Sequence, residues 1–457
     1  MTAQSATFDR DHLLSIVERE RAEFADRNPN SRAAFEAAGE SLWTGVPMSW
    51  MAKWPGGFPL ALAGAKGATL RDIDDHEYID FCLGDTGAMA GHSPEALGRA
   101  VNKRIVEDGG VTAMLPTEDA AWVGEELARR FGLPQWSFTL SATDANRFIL
   151  RKVREVTGRP YILCFSWCYH GSVDETFIVV GEDGQARSRP GNVGPAVDPT
   201  ETTRVCEFND IEAVKQLLAD GQVAAVLAEP AMTNIGIVLP EPGFLEELRR
   251  ITRETGTLLI ADETHTFSAG PGGCTAAWDI APDIVTIGKS IGGGVPIGAF
   301  GMSEEFASAL LAKEGADYVD TGGVGGTLAG NALSLAAARA VLGEVLTADA
   351  FERMIKLADR FADGVDAAFD KHGAPWTCVR LGARAEYRFC PAPPINGGQS
   401  HAAEDDLLDE WIHLWLLNRG VVMTPFHNMA LMCPATTEAQ VDRHTELFEE
   451  ALAELFN

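Results

Sequence analysis

Residues 283–301 read D-I-V-T-I-G-K-S-I-G-G-G-V-P-I-G-A-F-G. A short apolar run rich in β-branched residues reads as a buried strand. It stops at a lone lysine, Lys289, and three glycines, 292–294, follow soon after. A lysine where a strand gives way to a glycine loop is partly desolvated, which frees its amine for Schiff-base chemistry. The same letters also fit a surface lysine that merely ends a strand, so the flanking chain has to decide between the two.

Working outward, residues 119–300 alternate helix and strand. Helix 119–131 leads to a strand at 137–140, helix 144–157 to 161–166, helix 210–219 to 223–227, and helix 243–255 to 257–260, with 284–287 closing the set. This spacing implies crossover units and a mostly parallel sheet. Ligands of such sheets lie beyond the carboxyl ends of the strands. Ser141 to Asn146, Tyr169-His170, Glu229, Asp262 and Lys289 all fall there.

The rest of the chain forms a smaller partner to this core. Residues 10–40 are expected to be a helical arm, and 59–84 a small antiparallel meander. Residues 41–60 carry Trp43, Trp50, Trp54 and Phe58 and read as a structural plug or as one wall of a pocket. Helices are expected at 332–346, 350–372, 402–418 and 437–455, with strands within 376–390 and 421–433 and a Pro/Gly-rich loop at 391–398. The expected division is an N-terminal arm and part of a small domain at 1–85, a large domain at 86–335, and a C-terminal small domain at 336–457, an α/β architecture throughout.

Composition bounds the function. With 457 residues, 46% hydrophobic and 23% charged, the chain reads as a globular enzyme with a large core. Its 66 acidic against 37 basic residues give a net charge of −29, which argues against nucleic acid or an anionic membrane as partner. No apolar run reaches membrane-spanning length, and the opening residues do not read as a signal peptide. The eight cysteines contain no Cys-x-x-Cys, so free thiols in a reducing cytoplasm are expected, with no metal set.

The motifs converge on one cofactor. A carboxylate buried at a strand end, Asp262, needs a positive partner, and a pyridinium nitrogen is one; an ion-pair or N-capping aspartate is the plainer reading. Ser141-Ala142-Thr143-Asp144 at a helix start is either an anion seat or an ordinary N-cap. Tyr169 fits a ring-stacking aromatic or a core tyrosine, and Thr327 a phosphate donor or a turn residue. Taken together and in this order, they fit pyridoxal 5′-phosphate.

These residues resemble the class III aminotransferases of fold-type I, in the branch of glutamate-1-semialdehyde aminomutases and β-amino-acid aminotransferases. The likeness runs from about residue 30 onward. It rests on Ile260-Ala261-Asp262-Glu263, on 288–299 (G-K-S-I-G-G-G-V-P-I-G-A), on 326–331 (G-T-L-A-G-N), on Ala228-Glu229-Pro230 with Asn234 and Gly236, and on Tyr169-His170-Gly171. The resemblance implies that Lys289 holds the cofactor as a Schiff base and that Asp262 pairs with its ring nitrogen. It implies that Tyr169 stacks on the ring, that Ser141, Ala142 and Thr143 seat the phosphate, and that His170 and Glu229 belong to the cofactor site. Thr327 would reach the cofactor of a neighbouring subunit, implying a homodimer.

The departures bear on substrate. The phosphate seat, usually S-G-T-E-A, is S-A-T-D-A here. Asp262-Glu263 is followed by Thr264 and His265. Thr264 would press on the ring face opposite Tyr169, and His265 would lie near the phenolic oxygen or simply fill space. The arginines that hold substrate carboxylates in relatives are replaced by Phe426 and Ala430. Trp50, Trp167 and Phe426 would then line an apolar pocket, and Arg384 and Arg388 are either a substitute carboxylate clamp or exposed charge. The expected activity is transfer of an amino group from a bulky or apolar primary amine or amino acid to a keto acid such as pyruvate. An aminomutase or racemase on the same scaffold is the alternative, and a catalytically degenerate pyridoxal-binding protein a third.

Overall fold

The computed structural model describes residues 8–313 and 323–456. They group into two units, one of residues 8–94, 352–393 and 403–456, the other of 95–313 and 323–351 with 394–402.

The first unit opens on helix Arg10–Arg27, capped by the Asp9 side chain. The helical arm expected to be continuous breaks at Asn28, because Pro29 has no N–H to extend the ladder and instead starts a second helix, Pro29–Ala38. Strands β1 (Leu62–Lys66), β2 (Thr69–Asp72) and β3 (Glu77–Asp80) form the antiparallel meander read from the sequence.

The second unit holds a seven-stranded sheet. Its strands are β4 (Gln135–Thr139), β5 (Tyr161–Phe165), β8 (Thr203–Cys206), β9 (Val223–Ala228), β10 (Leu258–Asp262), β11 (Ile284–Ile287) and β12 (Gly298–Met302), in the order β4-β12-β11-β10-β9-β5-β8. A hairpin of β6 (Ile178–Val180) and β7 (Ala186–Ser188) stands apart. All strands of the large sheet run parallel except β12, which is antiparallel to both β11 and β4. The residues following β4, β5, β9, β10 and β11 therefore collect at one edge. Asp262 is the last residue of β10 rather than lying beyond the strand, and it pairs with Thr286 of β11.

All six residues of β9 are buried, as expected of a central parallel strand covered on both faces. Helix Ala142–Thr157 lays Ala145, Ile149, Leu150 and Val153 into a core with Ala224, Leu227, Ile260, Ile284 and Phe300. Each large aliphatic side chain buried there contributes about 1.5–3 kcal/mol. This packing fixes where the helix begins, and so fixes the site.

Strands β13 (Thr377–Leu381), β14 (Arg384–Arg388), β15 (Val421–Val422) and β16 (Met429–Leu431) complete the first unit. β15 joins the meander parallel to β3, and β14 lies between β13 and β16. Residues 394–402 group with the second unit although their chain neighbours on both sides belong to the first.

Candidate active site

Five strand ends build the site. After β11, Gly288 is followed by Lys289, whose backbone is left-handed at φ 47°. Non-glycine residues held in that region store strain and cluster where function demands a particular geometry. Lys289 is half-buried, and its Nζ lies 2.7 Å from Nε2 of His265.

Asp262 is buried in a polar network. Its Oδ2 accepts from Asn146 Nδ2 at 2.9 Å and from His170 Nδ1 at 2.9 Å, and its Oδ1 accepts the Thr264 backbone N–H at 3.1 Å. Burial alone would raise the carboxyl, but these donors hold it at about 2. Burial works against a charged His170, while Cys168 and the hydrogen bond to Asp262 raise its imidazole well above the ordinary histidine range. Glu229, just past β9, is pushed up to about 7, chiefly by burial, and accepts the Thr233 hydroxyl.

The helix start after β4 lies against these groups. The Ser141 side chain caps the helix by accepting Asp144 N–H at 3.2 Å, so the N–H groups of Ala142 and Thr143 are first-turn donors with no intrahelical acceptor. Thr143 is tied to the next loop, its hydroxyl accepting Ser172 N–H at 3.3 Å. Two glycines permit this closeness. A Cβ on Gly171 would fall 2.0 Å from Thr143 Oγ1, and one on Gly288 would fall 2.9 Å from Ala142 N.

The substrate candidates divide between the units. Trp50 and Phe426 belong to the first, where their rings meet edge to face at 6.0 Å. Trp167 belongs to the second, stacked on His401 at 3.8 Å beneath the Arg189 guanidinium. The exposed-charge reading of Arg384 and Arg388 is overturned, since they are only 1% and 7% exposed. β14 is the middle strand of its sheet and is buried on both faces. Arg384 donates to Thr86 Oγ1 at 2.8 Å, and Arg388 lines a cleft with Asp409, Phe426, His427 and Asn428. Thr327 is exposed on the chain surface.

The family model for Aminotransferase class-III matches residues 50–452. The chain belongs to the class-III aminotransferase family. Glutamate-1-semialdehyde 2,1-aminomutase of Gemmatimonas aurantiaca is 32% identical over 400 residues, covering 87% of this chain and 90% of that protein. The crystal structure of a glutamate-1-semialdehyde aminomutase from Pseudomonas aeruginosa PAO1 is 45% identical with TM-score 0.95, covering 98% of this chain and 99% of that one; a variant of it was solved in complex with PMP. An omega-transaminase from Sphaerobacter thermophilus follows at 28% identity and TM-score 0.84, covering 93% and 98%. The fold is therefore fold-type I, and the cofactor of this class-III enzyme is pyridoxal 5′-phosphate.

The residues present fit that cofactor. Asp262 is a buried carboxylate, ionised at neutral pH, whose Oδ1 accepts a single backbone N–H. The first-turn N–H groups of Ala142 and Thr143 offer donors to a phosphate. The Ser290 hydroxyl, next to Lys289 in sequence, is buried without a hydrogen-bond partner in the protein, which leaves a donor for a bound molecule. Asn146, placed at this edge by the sequence but given no role there, and Thr286, which the motifs did not single out, are members of the Asp262 network. The available signal was an asparagine in register with Ile149, Leu150 and Val153 on the apolar face of a helix.

Proposed function

We propose that this chain is a pyridoxal-phosphate-dependent aminomutase that moves an amino group between neighbouring carbons of one substrate, with glutamate-1-semialdehyde as the substrate. The observation that carries the proposal is the 45% identity, over 98% of the chain, to a glutamate-1-semialdehyde aminomutase. Identity to an omega-transaminase of the same fold is 28%. Transfer from a bulky amine to a keto acid, the activity expected from sequence, has the weaker support.

When bound, the cofactor supplies an electron sink that stabilises negative charge on the substrate carbon beside the nitrogen. Lys289 would anchor it, and Asp262 would hold the proton on its ring nitrogen. Ser141, Ala142 and Thr143 would seat the phosphate. Tyr169 and Thr264 would flank the ring, with His170 and Glu229 behind Asp262. Lys289 Nζ would carry a proton between adjacent substrate positions as general base and then general acid, and His265 Nε2, at 2.7 Å, stands where it can take up that proton or return it. Thr327, exposed on one chain, would complete the phosphate seat of a second copy in a homodimer.

The test is incubation of the holoenzyme with glutamate-1-semialdehyde and no keto acid. Moving the amino group from carbon 2 to carbon 1 yields 5-amino-4-oxopentanoate, and its catalytic accumulation is the expected result. Turnover that starts only when pyruvate is added, with alanine formed from it, would replace the mutase with an aminotransferase.

A further inference from the structure

The carboxylate of Asp262 is held by more than its own strand. Asn146 reaches it from the buried face of helix Ala142–Thr157, donating Nδ2 to Asp262 Oδ2 at 2.9 Å and to the His170 carbonyl at 3.0 Å. The other end of the amide is also engaged, since the Thr286 hydroxyl donates to Asn146 Oδ1 at 2.7 Å. Asn146 and Thr286 are both fully buried. Turning the amide over would set its oxygen against two acceptors and its NH2 against the hydroxyl that now donates to it, so the network permits one orientation. Thr286 is the ladder partner of Asp262, one strand over, so the hydroxyl that orients the amide is positioned by the same sheet that positions the carboxylate.

The two oxygens of Asp262 are thereby made unequal. Oδ2 is occupied by side-chain donors from Asn146 and His170, whereas Oδ1 accepts one backbone N–H. We infer that Asn146, oriented by Thr286, is a positioning residue that fixes which oxygen of Asp262 is presented to the cofactor's ring nitrogen. The inference rests on Asp262 being the partner of that nitrogen. The Asn146 amide bonds to Asp262, His170 and Thr286. It prevents rotation of the carboxylate about its Cβ–Cγ bond, so Oδ1 is already aimed before the cofactor arrives.

The experiment is a double-mutant cycle read as the dissociation constant of pyridoxal phosphate for the apoprotein, followed by quenching of tryptophan fluorescence. Asn146→Leu is measured in the wild-type and in the Asp262→Asn background. The expected result is a loss on the order of tenfold or more with Asp262 present, the scale of a hydrogen bond to a charged group, and less than about twofold with Asp262→Asn. Thr286→Val, which keeps the side chain's outline, should weaken binding in the same direction by a smaller factor and guards against misfolding of Asn146→Leu. Equal losses in both backgrounds, or none in either variant, would overturn the inference. If Asp262→Asn alone binds as tightly as the wild type, the ring-nitrogen assignment of Asp262 fails instead, and the two failures are told apart within one set of measurements.

Discussion

Lys289 Nζ and His265 Nε2 are 2.7 Å apart, and both residues are half-buried beside the end of the central sheet. In the proposed mechanism Lys289 supplies the amine and His265 the neighbouring ring nitrogen. Lys289→Ala is expected to reduce turnover by at least about 1000-fold, and His265→Ala to reduce kcat by about tenfold at unchanged KM. Steady-state kinetics decide the second point: wild-type kcat in His265→Ala would mean that the ring only fills space.

Gly288 lets the lysine loop touch the helix start. A methyl there would meet Ala142 N at 2.9 Å and Ala142 Cβ at 3.0 Å. Gly288→Ala is expected to cost about 1–3 kcal/mol of stability and to weaken pyridoxal phosphate binding about tenfold through the displaced N–H donors. Denaturant titration of the apoprotein and cofactor titration read the two effects separately.

Glu229 carries a pH dependence of its own. Burial pushes its carboxyl up to about 7, whereas in the unfolded chain it ionises near the ordinary glutamate value. Ionisation is thus penalised in the fold, so stability falls as pH rises from about 4.5 to about 7 and then levels, a change of about 3 kcal/mol. Glu229→Gln should lack this fall, and its advantage over the wild type should widen between pH 5 and 8 in denaturation of the apoprotein. Parallel pH curves would refute the assignment.

His444 has the opposite sign. Burial lowers it to about 3, and its ring lies among aromatics, 4.2 Å from Phe361 and 5.6 Å from Phe448, with neither nitrogen hydrogen-bonded. The unfolded chain takes up this proton below about pH 6.5 and the fold refuses it, so stability is lost as pH falls from 6.5 towards 3. The loss reaches about 2–3 kcal/mol by pH 4.5. His444→Leu should flatten that part of the acid limb, measured as the urea midpoint against pH.

What sequence reasoning could see follows from the physics of each element. β9 and β11 are apolar runs bounded by breakers, so the parallel sheet and its functional edge were legible, and with them Asp262 and Lys289. β12 was missed because Gly298, Ala299 and Gly301 look like the tail of a glycine loop; it persists because it has a ladder on each side. β8 escaped notice because four residues containing Arg204 show no periodicity. Arg384-Ala-Glu-Tyr-Arg388 alternates like a half-exposed strand, and nothing local reports that both of its faces are covered. Asn146 and Thr286 lie inside regular elements and are joined only by tertiary packing, which no spacing within one segment encodes.

The first unit is sewn from three separated pieces of chain, and this sets an order of events during synthesis. β3 cannot gain its parallel neighbour β15 until the ribosome has passed Val422. At about 5–20 residues per second, that leaves the amino-terminal meander with an open edge for roughly half a minute. Ser141 to Lys289, which contains every cofactor-contacting candidate except Thr327, leaves the ribosome well before that edge is closed. The strand ends that carry Asp262 and Lys289, and β12 that joins β11 to β4, are therefore synthesised while the edge of β3 is still open.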